Sequence, residues 1–187
     1  AVNLYRVFVA FAGGHRIVPF FSQSFVDKNE RYAPTVFAGF VLKTVAVNFG
    51  FAYLEILVDI ALGLYIALEV RRWALPWQGS PAILKILHIS LYWLIGSLLM
   101  GGFVRLIETV TEMNFMQMDV HMLALGFVTT MLIGFGTRVT LGHSGQPPHA
   151  DATTLKIFYL LQIVVIGRIA FSLVMGLDAG LFWMFDL

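Results

Sequence analysis

Long apolar stretches broken by short polar ones set the pattern of this chain. Residues 1–12 are apolar throughout, and a polar stretch follows from Gly13 to Arg31. The next apolar stretch, 33–70, is too long for one helix and divides near Asn48–Gly50. A bilayer core of about 30 Å needs roughly 20 apolar residues per helix. The pattern therefore predicts spans at about 33–49, 52–70, 81–106, 118–141 and 153–176. Residues 1–12 supply half a span more. Arg71, Arg72, Pro76 and Gly79 close the second span, and Pro81 is a good first-turn residue for the third. Gly142 stands where a helix-ending glycine belongs, with Pro147 and Pro148 beyond it. Asp151 or Thr153 is the expected N-cap of the fifth span. The expectation is an all-α, polytopic transmembrane bundle of five full spans plus a partial N-terminal span, in one domain over 1–187. No basic segment precedes residues 1–12, so they look like the tail of an earlier helix and not a signal peptide. With the closing GLFWMFDL, this reads as a piece of a longer membrane protein.

Composition supports the membrane reading. Of 187 residues, 59% are hydrophobic and only 12% charged, about half the charged share of a soluble domain. That leaves too little polar surface to cover a globule in water. The absence of Cys excludes a disulfide scaffold and any cysteine-ligated zinc or iron–sulfur site. A net charge of +1 gives no footprint for nucleic acid, and membrane lipid is the expected surrounding. Arg16, Lys28, Arg31, Arg71, Arg72, Arg138 and Lys156 fall on one side of this topology. Arg105, Glu108, Glu112 and Asp178 fall on the other. By the bias of basic residues the first side is cytoplasmic.

Charge inside a span costs about 2.5–3.5 kcal/mol, so it needs a partner or a purpose. Lys43, Glu55, Asp59, Lys85, His88, His121 and Arg168 are the candidates. Glu55 and Asp59 share a face of the second span, and with Arg105, His121 and Arg168 they fall in its outer layer. The expected pairing there is Arg168 with Glu55 or Asp59. Lys85 can snorkel to the inner interface.

Neutral imidazole is the usual axial ligand of haem iron and a good ligand for copper. Without Cys, only His and Met offer soft or borderline donors. His88 and His121 enter from opposite faces and differ in depth by something like 20 Å, so they serve different centres or only one of them binds a metal. His88 with His143 is the more feasible pair, and Arg16 and Arg138 on the same face suit haem propionates. His88 can equally be a helix-to-helix hydrogen bond, and His143 can simply cap a helix end. Met113, Met116, Met118 and Met122 surround His121 at the outer mouth. Thioethers suit Cu(I), although Met is also common packing filler. Gly126, Thr130 and Gly134 form a small-residue stripe for close helix packing or for a flat cofactor.

Three segments carry a family resemblance. HMLALGFVTTMLIGFGTRVTLGHSG, residues 121–145, resembles the most distinctive stretch of the NnrS family. There a His opens a glycine-rich span that ends in Arg and then Leu-Gly-His-Thr-Gly. His121, Gly126, Arg138, Leu141, Gly142, His143 and Gly145 match, and Ser144 stands where Thr is usual. GHRIVPFFSQSF, residues 14–25, is similar to a Gly-Arg-Val-Ile-Pro-Phe-Phe-Thr element through Arg16, Pro19, Phe20 and Phe21. PAILKILHISLYWLIG, residues 81–96, matches a third element at Pro81, Leu84, Leu87, His88 and Trp93. Tyr92 is shifted by one there, and Ser90 replaces Gly.

The resemblance implies a multi-pass protein of the bacterial inner membrane containing haem and copper. It implies a role with nitric oxide in nitrosative stress and denitrification. The family is roughly twice as long, which implies a missing N-terminal half or another membrane subunit as partner. Whether the protein turns nitric oxide over, as an oxidoreductase, or only binds it stays open. The alternatives are a cytochrome b-like electron carrier with two His on one haem, and a cofactor-free transporter or assembly factor. His88, His121 and His143 are the candidate metal ligands, and Arg16 and Arg138 the candidate cofactor-binding residues.

Overall fold

A computed structural model describes residues 31–73, 79–111, 113–145 and 150–185, with side chains to residue 177. Everything regular in them is helical. Five helices follow in order: α1 Tyr32–Phe49, α2 Ala52–Arg72, α3 Ala82–Val110, α4 Met118–His143 and α5 Ala152–Phe185. The half span expected at 1–12 lies outside the described residues.

The helix ends follow local chemistry. Gly50 ends α1 in the left-handed region at φ 74°, and its N–H reaches back to the carbonyls of Ala46 and Val47. A side chain is strained in that conformation, which is why the long apolar stretch breaks here. Pro81 directly precedes α3, where its missing N–H costs nothing. Asp151 is the cap of α5, accepting from the Thr154 N–H at 2.8 Å. The glycine that ends α4 is Gly145, at φ 67°. Gly142 is still helical, a correction to the expected stop.

The span count is also corrected. Four helices are long and apolar enough to cross a membrane, namely α1, α3, α4 and Ala152–Leu177 of α5. The fifth, α2, is long enough at 21 residues but carries Glu55, Asp59, Glu69, Arg71 and Arg72. Its charges set it apart from the other four, and two of its acids, Asp59 and Glu55, meet cations of α1 and α3. Asp59 and Glu69 are both buried, at 1% and 5% exposure.

Each helix packs on its neighbour in sequence, and α3 lies between α2 and α4. Close glycine contacts give the register. Gly39 of α1 abuts Leu62 of α2, Gly63 of α2 abuts Leu98 and Leu99 of α3, and Gly102 of α3 abuts Ile56 and Ile60. Along the α3–α4 seam, Gly101 abuts Asp119, Gly96 abuts Met122, Gly126 abuts Trp93 and Gly134 abuts Leu87. Every neighbouring pair is therefore antiparallel. The end holding Gly50 and residues 113–117 is termed outer here, and the end holding Arg71, Arg72, His143 and Lys156 inner. Apolar side chains face outward along α1, α2 and α5, including Phe37, Leu57, Leu64, Ile163 and Val174. Such an outward apolar surface suits lipid.

Residues Met122–Thr129 of α4 are a π-helix. Thr129 donates its hydroxyl to the Ala124 carbonyl five residues back, at 3.0 Å. Wide turns of this kind usually occur as single bulges and often at functional sites. Just before α4, Met116 and Gln117 both take positive φ, 50° and 54°, without being glycine. Such a pair persists only where the surroundings hold it. The Phe115 N–H donates to Glu108 Oε1 at 3.1 Å, and the Phe115 ring packs against Gly176 of α5.

Candidate functional site

His88 lies on the α3 face that packs on α2, in the row with Leu91, Leu98 and Gly102. It is 1% exposed. Its Nδ1 lies 3.1 Å from the Leu84 carbonyl, so the tautomer with hydrogen on Nδ1 makes that bond. Nε2 is buried without a hydrogen-bond partner. A buried nitrogen lone pair left open in this way costs about 1–3 kcal/mol. Anchoring of one ring nitrogen on a carbonyl is also how a metal-binding His is oriented. Nε2 of His88 is thus the atom that would hold a haem iron.

The other histidines stand apart from it. Gly134 marks the level of Leu87 on α4, and His143 lies roughly 14 Å beyond Gly134 at about 1.5 Å per residue. His143 is exposed at the inner end of α4. His88 and His143, the more feasible pair from the sequence, are therefore not brought together. His121 lies at the outer end, where Met122 meets Gly96 and Asp119 meets Gly101. That is roughly 15 Å from His88 along α3 at about 1.5 Å per residue, so the two are separate in depth. His121 repeats the His88 arrangement, with Nδ1 2.9 Å from the Gln117 carbonyl four residues earlier. Arg138 is half-buried and has an interaction of its own. Arg16 lies outside the described residues.

Of the two readings of the α4 glycine stripe, close packing or a bed for a flat cofactor, the structure shows packing. A side chain on Gly126 would lie 2.7 Å from Trp93 Cγ, and one on Gly134 3.0 Å from Leu87 Cδ2. The stripe is helix packing. Trp93 is held there by a chain that joins three helices. Its Nε1–H donates to Gln162 Oε1 at 2.7 Å, and Gln162 Nε2 donates to Thr130 Oγ1 at 3.1 Å. Sequence reading passed over Gln162; a lone amide within an apolar span was the available signal. Of the methionines near His121, Met118 and Met122 are buried in packing, Met113 packs beside them and Met116 is exposed. Met100, Met113 and Met118 gather around Val104 and Phe115. Among the described residues, no three His, Asp or Glu side chains converge closely enough to hold a metal.

The outer layer is ionic. Lys43 Nζ lies 2.6 Å from Asp59 Oδ1 and donates to Oδ2 at 2.7 Å. Arg105 Nε lies 3.4 Å from Glu55, and its Nη1 lies 3.7 Å from Glu108. The expected Arg168 pairing with Glu55 or Asp59 is thus overturned, since both acids have other partners. Arg168 lies over the Phe171 ring at 5.3 Å. The reason is lateral: α5 packs on α4, while α2 lies across α3. Lys43, on the adjacent helix, is the cation that reaches Asp59.

Comparisons with curated proteins and with solved structures give no match. The family model described as NnrS protein matches residues 1–186. With its apolar membrane-length helices, this is a multi-pass membrane protein, and it belongs to the NnrS family.

Proposed function

We propose that this protein holds haem and copper in the bacterial inner membrane and binds or turns over nitric oxide, with His88 as the haem-iron donor. The observation that carries this is the His88 ring, buried, fixed by the Leu84 carbonyl and left with an open Nε2. Membership of the NnrS family supports the nitric oxide role. Haem iron bound there supplies a coordination position for a small diatomic ligand. Among the described residues no second histidine stands at the level of His88, which favours an open position over the two-His electron carrier. The glycine stripe is filled by Trp93 and Leu87 and would not be what holds the macrocycle. His121 is the proposed copper donor, with Asp119 two residues before it. Lipid covers the outward apolar rows.

The test is the visible spectrum and metal content of the purified full-length protein and its variants. His88→Leu is expected to lose the Soret band, and His143→Leu to keep it. His121→Leu is expected to lose copper and keep haem. A Soret band of undiminished strength in folded His88→Leu overturns the assignment.

A further inference from the structure

Between Lys156 and Leu177, Arg168 is the one charged residue of α5. Two contacts fix its height. Gln162 of α5 bonds to Thr130 of α4, and Gly176 of α5 abuts Phe115, just before α4. At about 1.5 Å per residue, Arg168 then stands level with the turn of α4 between Met122 and Gly126. Those two residues meet Gly96 and Trp93 of α3. Arg168 is therefore near mid-height of the bundle, roughly 20 Å from either end of α3 at the same rise. A basic side chain near a helix end can snorkel to the interface, but this one is too deep.

The bundle offers it no anion. The side chain is half-buried and lies over the exposed Phe171 ring at 5.3 Å. Among the described residues its guanidinium has no hydrogen bond or ion pair. Asp59 is committed to Lys43 and Glu55 to Arg105, and Asp119 of α4 is turned to Gly101 of α3. The charge leans over an outward row of α5 formed by Leu160, Val164, Gly167 and Phe171. A Cβ on Gly167 would meet nothing within 4 Å. Of the four apolar spans α5 is also the least covered, with 17% of its apolar stretch buried against 50% in α3.

We propose that this row of α5 docks a transmembrane helix of another subunit, one that carries a carboxylate at mid-membrane for Arg168. The argument is charge complementarity at depth. Acyl chains offer a guanidinium no acceptor, and headgroups lie at the interface, so lipid leaves this charge unanswered. A second copy docked through the same row would bring its own Arg168 against the first. Residues 1–12 of this chain carry no acid. Gly167 lets a helix backbone come close beside the arginine. The outward rows of α1 and α2 stay with lipid. The inference stands apart from the haem reading and needs no cofactor.

The probe is a synthetic leucine–alanine helix of about 20 residues with one Glu at its centre. Its association with the full chain, which has no native Cys and is dye-labelled at Ala152→Cys, is read by energy transfer in phosphatidylcholine vesicles. Wild type is expected to bind the Glu helix about tenfold more tightly than the same helix with Leu at its centre, the order of one polar contact between helices in lipid. Arg168→Leu, which puts an apolar side chain on an apolar row, is expected to fold and to erase that preference. Moving the Glu two turns from the centre is expected to erase it in wild type. The proposal is overturned by no preference in wild type, by an equal preference in folded Arg168→Leu, or by one indifferent to the depth of the Glu. It is overturned as well by Arg168-dependent association of two copies of the chain without the helix, which assigns the row to a second copy. A preference that phosphatidylglycerol abolishes assigns Arg168 to lipid headgroups and overturns it too.

Discussion

His88 and His121 anchor their rings alike, each through Nδ1 on the carbonyl four residues earlier. Their surroundings differ. His88 is sealed in an aliphatic core with Leu87 and Leu91, and its second nitrogen is unanswered. Around His121 the outer layer answers charge with charge, through Lys43 with Asp59 and Arg105 with Glu55 and Glu108. The inner half of the bundle therefore keeps one neutral donor in reserve. The outer half keeps a surplus of acid. Intramembrane polar groups have two physical solutions, and this protein uses one at each end.

The contrast is broken most severely at Lys43. Removal of one partner from a buried pair leaves an uncompensated charge, at a cost of about 3–5 kcal/mol. Lys43→Ala is expected to lower stability by that order in unfolding titrations from detergent micelles. The double variant Lys43→Met with Asp59→Leu is expected to recover most of it, since replacing both partners with apolar groups is often neutral. A single variant as stable as wild type would mean that water reaches Asp59 and that the outer layer is not dry.

Both halves are held in register by the α3–α4 seam, and glycine substitutions there grade the coupling. Gly126→Ala drives a methyl group into the Trp93 ring, 2.7 Å away, and is expected to cost about 1–3 kcal/mol. A change in Trp fluorescence should accompany it, because Trp93 must then leave Gln162. Gly136 has nothing within 4 Å of a new Cβ, so Gly136→Ala is expected within about 0.5 kcal/mol of wild type. Equal losses in the two variants would show that the close contact at the seam does not set the effect, because helix propensity favours alanine at both positions.

Depth along the membrane was legible in the sequence; lateral position was not. Gly50 and Pro81 placed the end of α1 and the start of α3, because local capping chemistry sets them, whereas α5, expected to end at about 176, runs on to Phe185. The same reasoning put Asp59, Glu55 and Arg105 in one layer. It could not tell that Lys43 reaches Asp59 while Arg168 does not, because neighbours around a bundle depend on helix order in space. The stripe Gly126, Thr130, Gly134 was visible, but a stripe reads the same whether Trp93 or a cofactor fills it. The π-turns of Met122–Thr129 left no residue signal, since no glycine or proline is needed to widen a helix.

His88→Leu sharpens the inner side of the comparison. Leucine keeps much of the volume, removes the open Nε2 and gives up one bond to Leu84. In cofactor-free protein those effects oppose one another, so stability is expected to change by no more than about 1 kcal/mol. A histidine that held two helices together through both nitrogens would instead cost more on removal. Thermal unfolding of cofactor-stripped wild type and variant measures the difference. A loss of several kcal/mol would make His88 a structural bond, and the reserve donor would disappear from the account.

Asp151, outside the spans, supplies the smallest effect and the control for both buried regions. Hydrogen bonding from Thr154 favours its charged form and holds its carboxyl below the usual carboxylate range. A pKa depressed on folding contributes stability above the unfolded value and loses it as pH falls through the folded one. From neutral pH down to the ordinary carboxylate range the first turn of α5 should therefore be unchanged. Below that range the protonated carboxyl holds the Thr154 N–H less well, and the turn frays. Amide exchange at Thr154 and Leu155, corrected for its intrinsic pH dependence, is expected to rise there and nowhere else. Asp151→Asn should keep the cap, because an amide oxygen accepts the same bond, and should abolish the pH dependence. An unaltered pH profile in that variant would place the titration on another group. Because water surrounds Asp151, salt should also weaken the electrostatic part of its effect. Salt should leave Lys43 and Asp59 untouched, since the bundle excludes the ions that screen.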